Sequence, residues 1–438
     1  MFWYDNKKGY NLMTIAILTT VLIVTIALGM PIAFCLGFAA LVAFFFMDPI
    51  LMNVIAQKMF TGLDSFPLMA IPFFIFAGEL MGRGGITKRL LLFADMVVGR
   101  VCGGLGLANV LASMIFGGIT GSAIADVSAL GSVEIPMMVE AGYDPDFSAG
   151  ITCASACIGP IIPPSIPMVI YATAVGASIG GLFLAGYLPG ILIGLALMIT
   201  AYFISIKRKY PVRKRKISFK GYIIGTKDAL SALIMPAIIM GGILGGIFTP
   251  TEAASVAVAY TFILTVFIYK EVKLSDLPDI LRNTAVTTAV VLILVSTSNV
   301  FAWIIMMEQI AVKLGGLFGS MDKYVFLLFV NLLLLFVGTF MDNCPAILIL
   351  APILTPIALS LGVHPLHFGI IFVVNMVIGL ITPPLGQVLF VAVPIAKISF
   401  ERVTMGTFPF LIVEIIILLI ITYVPFLTLY LPKLLGYA

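Results

Sequence analysis

The sequence predicts an all-α integral membrane protein with about ten spanning helices and two re-entrant hairpins, arranged as an inverted-topology repeat. Composition, the placement of basic residues and a recurring set of landmarks predict this fold. Of the 438 residues, 61% are hydrophobic and 10% are charged, whereas ordinary soluble domains are about 25% charged. Lipid is therefore the expected solvent for most of the surface.

Apolar stretches of the length needed to cross the hydrocarbon layer, about 20 residues, recur along the chain. We predict spans near 12–29, 31–47, 61–82, 181–206, 222–247, 251–269, 285–307 and 404–432. The regions 102–180 and 321–398 do not fit plain helices, because Gly, Pro and polar residues interrupt them where lipid is expected. A basic amphipathic helix near 84–99 is expected to lie along the membrane surface.

Basic residues predict the orientation. The segment 207–220 holds eight Lys and Arg residues and no acidic residue, which places it in the cytoplasm by the positive-inside rule. Arg83 and Arg100 bound a second basic stretch, so the span before it also ends in the cytoplasm. Both basic segments are therefore cytoplasmic, and the chain between them must cross the membrane an even number of times. This requires that 104–139 enters from the cytoplasm, turns at Gly121–Ser122 and returns to the same side.

The same count of crossings, applied to the second half in the opposite orientation, predicts a second hairpin that enters from the outer side of the membrane, with its turn near Gly338–Thr339. Each half then contains scaffold helices, a hairpin and a broken helix, and the first half also contains the surface arm helix. The predicted boundaries are 1–206 for the first repeat, with hairpin 104–139 and broken helix 147–175; 207–220 for the basic cytoplasmic loop; and 221–438 for the second repeat, with hairpin 323–360 and broken helix 367–397.

Landmarks of the two halves recur at a nearly constant offset, although each match is weak alone. They are Pro31 and Pro250, 219 apart; Asp144–Pro145 and His364–Pro365, 220 apart; Pro163–Pro164 and Pro383–Pro384, 220 apart; and the hairpin tips, about 217 apart. Because the halves have opposite predicted orientations, the repeat is inverted. Inverted repeats with discontinuous helices point to a secondary transporter whose site lies near the bilayer midplane.

The double prolines carry the first chemical hypothesis. Proline lacks an N–H group and clashes with a continuing helix, so IIPPS and ITPPL leave carbonyl oxygens available as ligands for a hard cation such as Na⁺. Polar tip residues could supply more oxygens: Ser122, Thr339, Asp342 and Asn343. The alternative is a purely structural kink. The half-helix starting near Ser165 has a positive end that favours anions, and nearby candidates are Thr173, Gly386 and Gln387, each of which could equally be a packing residue.

Other polar residues lie in or near apolar stretches, where charge is costly and often functional. Asp126 and Asp342 follow the hairpin tips and are either ion ligands or helix caps. Ser298 and Asn299, with Ser296, form a mid-span patch that suits a binding site or interhelical hydrogen bonds. The remaining ionisable residues of this kind are Glu79, Glu134, Glu252, Arg282 and Glu308.

Several function classes lose support. No Walker A motif occurs, which argues against ATP-driven pumping, and no HExxH or GxSxG motif occurs, so we expect no enzyme. The five cysteines have no metal-ligand spacing. The N-terminal segment lacks a cleavage site and is not expected to be a signal peptide; whether Met1 or Met13 is the native start stays open.

Six motifs in order, from GLDSFPLMAIPFFIFAGELMGRGG through GSAIADVSALGSVEIPMM, GYDPDFSAG, GPIIPPSIPMVIY and GIFTPTEAASVAVAY to GLITPPLGQVLFV, resemble the large membrane subunit of tripartite ATP-independent periplasmic (TRAP) transporters. The resemblance covers nearly the whole chain from about Met13. It implies an elevator-type, Na⁺-coupled importer of an organic acid, of the sialic acid or C4-dicarboxylate class. It also implies a multi-pass protein in the lipid of the bacterial inner membrane, partnered by a small four-helix membrane subunit and a periplasmic substrate-binding protein, with no nucleic-acid partner.

The resemblance further implies one Na⁺ site between the first tip and the first break, a second between their counterparts, and the substrate between them. The Na⁺ candidates are Gly121, Ser122, Gly159, Pro163, Gly338, Thr339, Asp342, Asn343, Gly379, Thr382 and Pro383. The substrate candidates are Ser165, Ser298, Asn299, Gly386 and Gln387. The rival hypotheses are a stand-alone sodium/carboxylate symporter of similar fold, and a channel or membrane scaffold without coupled transport.

Overall fold

The computed structural model describes residues 2–47, 52–212, 219–309, 313 and 321–437. These residues form helices joined by short connections, and no β-strand occurs among them. The all-α prediction is confirmed. The basic loop is described only in part, because positions 213–218 lie outside the described residues.

The helices of the first half follow one another closely. They are α1 (Phe2–Ala27), α2 (Ile32–Met47), α3 (Met52–Leu63), a 3₁₀ turn (Phe66–Met69), α4 (Ala70–Arg83), α5 (Ile86–Val98), α6 (Gly104–Thr120), α7 (Ala123–Asp126), a π-turn (Val127–Gly131), α8 (Ser132–Glu140), α9 (Pro145–Ala156), α10 (Ile166–Val175) and α11 (Ile179–Lys207). The expected arm helix is α5, which buries Ile86, Leu90 and Ala94 on one face.

The described helices of the second half are fewer, and the arm that returns from the second hairpin tip is a single helix. They are α12 (Phe219–Leu244), α13 (Pro250–Phe262) with a π-turn (Ile263–Ile268), a 3₁₀ turn (Leu274–Asp276), α14 (Leu277–Met307), α15 (Lys323–Gly338), α16 (Asn343–Ser360), α17 (Pro365–Gly379), α18 (Gln387–Ala396), α19 (Phe400–Tyr423) and α20 (Phe426–Leu434). We call α6–α8 the first hairpin, α15–α16 the second hairpin, α9–α10 the first broken helix and α17–α18 the second broken helix.

Six helical segments in the described ranges are long and apolar enough to cross a membrane. They are Phe66–Arg83, Ile179–Lys207, Pro250–Ile268, Leu274–Met307, Asn343–Ser360 and Phe400–Tyr423. Several of the other predicted spans correspond to shorter apolar helices of 10–17 residues. The count of about ten spans stays a prediction.

Two predicted spans have the wrong boundaries. The span predicted at 61–82 begins at Phe66, because the chain leaves α3 at Leu63 and Pro67 starts a new helical turn. The span predicted at 404–432 ends at Tyr423, since Pro425 cannot continue the helix and starts the separate helix α20.

Corresponding helices of the two halves begin at matched positions. The pairs of first residues are 104 and 323, 123 and 343, 145 and 365, 166 and 387, and 179 and 400. The separations are therefore 219 to 221 residues, in line with the landmarks in the sequence. At the tips, the residues that cap the returning arms are Ser122 and Asp342, which are 220 apart, so the predicted tip offset of about 217 is wrong by three residues.

The two broken helices form the centre of the molecule. Every residue from Phe147 to Ala172 is buried, and so is every residue from Leu366 to Ile381. The thiol of Cys157 donates a hydrogen bond to the carbonyl of Val377 at 3.5 Å. These two positions are themselves 220 apart, so equivalent points of the two halves meet at the core.

Candidate functional site at the hairpin tips and helix breaks

The first hairpin turns at Gly121 and Ser122. Gly121 has φ +60°, a left-handed conformation that glycine adopts without strain. A Cβ on Gly121 would lie 2.8 Å from the carbonyl oxygen of Pro164, so this tip lies directly against the first break. The Ser122 hydroxyl accepts a hydrogen bond from the Ala125 N–H at 3.4 Å and caps the returning arm.

The first break separates α9 from α10 over residues 157–165 and is fully buried. Pro163 and Pro164, joined by a cis peptide bond, cannot donate backbone hydrogen bonds. Ser165 compensates in part, because its hydroxyl donates to the Pro160 carbonyl and accepts from the Met168 N–H at 3.3 Å. Ser165 is therefore the N-cap of α10, and its hydroxyl is already engaged.

Each hairpin packs against its broken helix through a pair of glycines. A Cβ on Gly117 would lie 2.9 Å from the backbone nitrogen of Gly159, and a Cβ on Gly338 would lie 2.9 Å from the Cα of Gly379. These separations leave no room for any side chain. The predicted site glycines Gly159, Gly338 and Gly379 thus let backbone approach backbone beside each break.

The second tip carries more charge than the first. Asp342 Oδ1 accepts a hydrogen bond from the Asn343 N–H at 2.7 Å and caps α16. The Thr339 hydroxyl donates to the Phe336 carbonyl at 2.7 Å. Asn343 is buried, and its Oδ1 has no hydrogen-bond partner among the described residues. The capping hypothesis for Asp342 is confirmed, and its second carboxylate oxygen stays available.

The second break, residues 380–386, is less enclosed than the first. The Thr382 hydroxyl donates to the Ile378 carbonyl at 2.8 Å, Gly386 has φ +54°, and Pro384 is exposed within the described chain. Pro383 and Pro384 are joined by a cis peptide bond. The two breaks therefore have matched positions but different surroundings.

Both hairpin tips open into one cavity of about 820 Å³. Gly121 and Ser122 line it from the first tip, and Asp342 and Asn343 line it from the second. The cavity is also lined by Pro160 at the first break and by Glu79, Arg83, Lys88, Thr287 and Val291 from α4, α5 and α14. The structure thus brings together four of the predicted residues from distant parts of the chain.

The oxygens near the tips suit a hard cation. Thr120 Oγ1 and Asn343 Oδ1 are both buried and lack a hydrogen-bond partner in the described part of the chain, and both residues line the cavity. An unsatisfied buried oxygen is costly, about 1–3 kcal/mol, unless another group binds it. No set of three His, Cys, Asp or Glu side chains in the described ranges could hold a metal ion, so a cation here would rely on hydroxyl, amide and carbonyl oxygens.

Other predicted site residues lie elsewhere. Ser298 and Asn299 line a separate cavity of about 130 Å³, whereas Thr382, Gly386 and Gln387 line neither cavity. The sequence could not separate these groups, since the distance between them depends on how α14 packs against the broken helices.

A buried polar network joins each hairpin to its broken helix, and most of its residues are not among those predicted from the sequence. In the first half the Asn109 amide donates to Glu134 and to Thr152 Oγ1, 2.7 Å away, and Ser155 Oγ donates to Asn109 Oδ1 at 2.7 Å. In the second half Asn375 Nδ2 donates to Asn331 Oδ1 at 2.7 Å. The signal was present: Asn109 and Asn331 are lone amides in apolar helices, 222 positions apart.

Two further carboxylates are deeply buried. Neither oxygen of Asp126 and neither oxygen of Glu414 has a hydrogen-bond partner among the described residues, and each residue is 1% exposed. Asp126 lies in the first turns after the tip, where capping was one hypothesis, but Ser122 is the cap. Glu414 is not among the residues predicted from the sequence, although it is a lone acid within the apolar run LIVEIIILLI.

An ion-pair cluster lies at the base of the first hairpin, outside the spanning segments. Arg208, at the end of α11, contacts Asp144 at 2.9 Å and Asp146 at 3.1 Å. The Tyr210 hydroxyl donates to Asp144 at 2.7 Å. This hydrogen bond, reinforced by Arg208, lowers the pKa of Asp144 below its ordinary value. The cluster ties the start of the basic loop to the start of the first broken helix.

Comparison with known proteins assigns this architecture to a family. The family model "Tripartite ATP-independent periplasmic transporter, DctM component" matches residues 19–427. The sialic acid TRAP transporter large permease protein SiaM of Vibrio cholerae is 43% identical over 415 residues, covering 93% of this chain and 96% of its own. The C4-dicarboxylate TRAP transporter large permease protein DctM of Rhodobacter capsulatus is 39% identical over 440 residues, covering 97% of this chain and all of its own.

A solved structure supports the fold independently. The YdaH transporter of Alcanivorax borkumensis matches with a TM-score of 0.63 at 15% sequence identity, covering 86% of this chain and 89% of its own. At this identity the likeness concerns the fold alone. Because the family model spans nearly the whole chain and the relatives match over almost their full length, this chain belongs to the family of TRAP transporter large permeases, which are multi-pass membrane proteins.

Proposed function

We propose that this chain is the large permease subunit of a Na⁺-coupled importer that receives an organic acid from a periplasmic binding protein. The observation that carries the proposal is the cavity of about 820 Å³ into which both hairpin tips open. Membership of the TRAP family supports the role of a binding protein and a small membrane subunit, which we expect to have four helices, in the lipid of the bacterial inner membrane.

Two features of the cavity favour an anionic cargo. Arg83 and Lys88 line it and supply positive charge. Ile166 and Pro167, which also line it, belong to the first turn of α10, where the helix dipole favours an anion. The relatives named for sialic acid and for C4-dicarboxylates carry carboxylate cargo, so we propose a cargo of that chemical class.

We place one Na⁺ between the Gly121–Ser122 tip and the Gly159–Pro164 break, and a second between the Gly338–Asn343 tip and the Gly379–Pro384 break. The first placement is supported by the contact of Gly121 with the first break and by the unpartnered Thr120 Oγ1. The second is supported by the unpartnered Asn343 Oδ1 and by Asp342. Cargo between two cation sites would be held partly by their charge.

We further propose that transport proceeds by an elevator movement, in which the hairpins and broken helices move together against a scaffold that includes α14. The cavity reaches Arg83 and Lys88, which the positive-inside rule places at the cytoplasmic side. The described conformation is therefore best interpreted as inward-facing. The matched glycine contacts support movement as one body, because each hairpin is locked to its own broken helix.

Reconstitution tests the function directly. The purified permease, its small subunit and the cognate binding protein are placed in proteoliposomes, and uptake of a labelled sialic acid or C4-dicarboxylate is measured. We expect accumulation only with an inward Na⁺ gradient and with the binding protein present. Uptake that persists without the binding protein would support a stand-alone symporter, and uptake indifferent to Na⁺ would refute the coupling.

A further inference from the structure

A second cavity, of about 130 Å³, lies beyond the hairpin tips. Its lining residues come from α3, α10, α14 and α16 and include Gly62, Thr173, Ser298, Asn299, Leu348 and Pro352. Ser298 is 1% exposed, and its hydroxyl has no hydrogen-bond partner within the described residues. A buried hydroxyl without a partner is destabilising. A ligand that hydrogen-bonds to Ser298 in another conformation would remove this cost.

One face of α14 connects the two cavities. Thr287 and Val291 line the large cavity, and Val295, Ser298 and Ala302 line the small one. The spacings along this series are four, four, three and four residues, which place all five side chains on one face of a helix. From Val291 to Ser298 the helix rises about 11 Å, or two turns.

On the side facing α14, the helices α10 and α16 also line both cavities. In α10, Ile166 and Pro167 line the large cavity, while Ile170 and Thr173 line the small one. In α16, the first two residues, Asn343 and Cys344, line the large cavity, and Leu348 and Pro352 line the small one. Both helices begin at the proposed cargo site. α16 packs directly against α14 and α10 packs against α16, so the interface of α14 with α16 forms a track with a cavity at each end.

We propose that Ser298 and Asn299 form a second, state-dependent contact for the cargo, which the hairpin tips reach only after moving along α14 by about two turns. This inference rests on the proposed elevator movement and adds the residues that complete the site in its outward-facing state. In the described conformation α10 and α16 cover Ser298 and Asn299, whereas Thr287 and Val291 face the tips.

The chemistry of the pair suits transient contact with a carboxylate. A hydroxyl and an amide donate hydrogen bonds but carry no charge, so they would orient the cargo without holding it as tightly as a buried Arg. Asn299 packs on Gly62 of α3, where a Cβ would collide with its side chain. The glycine thus leaves the space that the amide occupies.

Cross-linking tests the juxtaposition. In a chain whose five cysteines are replaced, Ile124→Cys at the first tip is paired with Thr287→Cys, Ser298→Cys or Ser296→Cys. We expect the Thr287 pair to link in the described state and the Ser298 pair to link during turnover with Na⁺, cargo and binding protein. The Ser296 pair should not link, since the Ser296 hydroxyl donates to the Met59 carbonyl at 3.1 Å and faces α3.

Uptake kinetics test the contact itself. We expect Ser298→Ala and Asn299→Ser each to raise the half-saturating concentration of cargo-loaded binding protein about tenfold. A change of this size corresponds to the loss of one hydrogen bond to a charged group. Ser296→Ala should leave it unchanged. Wild-type uptake without Na⁺ dependence would overturn the proposed function; normal wild-type uptake, with unchanged Ser298→Ala kinetics or no Ser298 cross-link, would overturn this inference alone.

Discussion

Ser122 and Asp342 occupy equivalent positions at the two hairpin tips, yet they bring different chemistry to the cavity. Both cap the arm that returns from the tip. A serine offers one neutral oxygen, whereas an aspartate offers two oxygens and a negative charge. One of the two Asp342 oxygens is used by the cap. We infer that the second tip contributes more to cation affinity than the first.

Replacing Asp342 by Asn tests this inference. The amide oxygen can still cap α16, so the fold should be retained while the charge is lost. We expect the half-saturating Na⁺ concentration for uptake to rise about tenfold, and that for Ser122→Ala to rise less. Ser360→Ala is the control, because that hydroxyl only donates to the Ile357 carbonyl at the far end of α16; an unaltered Na⁺ titration for Asp342→Asn would remove Asp342 from the site.

The paired glycines make a second prediction at the same scale. Gly117→Ala and Gly338→Ala place a methyl group against the backbone of the opposing glycine, which should cost about 1–3 kcal/mol through overpacking and reduce uptake. Gly241→Ala, where nothing lies within 4 Å, is the matched control. Thermal unfolding in detergent measures the effect, and equal melting temperatures for all three variants would contradict the close contact.

At the scale of the helices, the ion-pair cluster at the base of the first hairpin predicts a pH dependence. The pKa of Asp144 is lowered in the folded protein, so its contribution is present above the unfolded value, about 3.9, and is lost as the pH falls through the lower folded value. Asp144→Asn should therefore lower the melting temperature at pH 7, by an amount equivalent to at most about 1 kcal/mol.

The pH series supplies the check on that variant. The difference in melting temperature between wild type and Asp144→Asn should shrink as the pH is lowered below about 4. A difference that stays constant to pH 3 would mean that the side chain acts through packing and not through its charge.

The hairpins and breaks could be anticipated because Gly, Pro and polar residues at membrane depth have few structural explanations. The sequence could not show which hydroxyls remain free to bind a ligand. The sequence predicts Ser165 and Thr382 as site residues, but their hydroxyls donate hydrogen bonds to the Pro160 and Ile378 carbonyls. Capping is decided by backbone angles and neighbours that composition does not specify.

At the scale of the whole molecule, the landmarks spaced by about 220 residues correspond to helices that begin 219 to 221 residues apart. The spacing could not predict how the two repeats contact each other. Cys157 meets Val377 at the core, and α14 faces α10 and α16 along two cavities. These contacts depend on tertiary packing, which separates the predicted cargo residues into two groups.

Simultaneous measurement of Na⁺ and cargo fluxes tests the central claim most directly. In proteoliposomes with all three components, labelled Na⁺ and labelled cargo are followed together under an imposed Na⁺ gradient. Two cation sites flanking one cargo predict cargo-dependent Na⁺ influx with at least two Na⁺ per cargo molecule, and its loss when either the cargo or the binding protein is omitted. Cargo accumulation without accompanying Na⁺ influx would contradict the account.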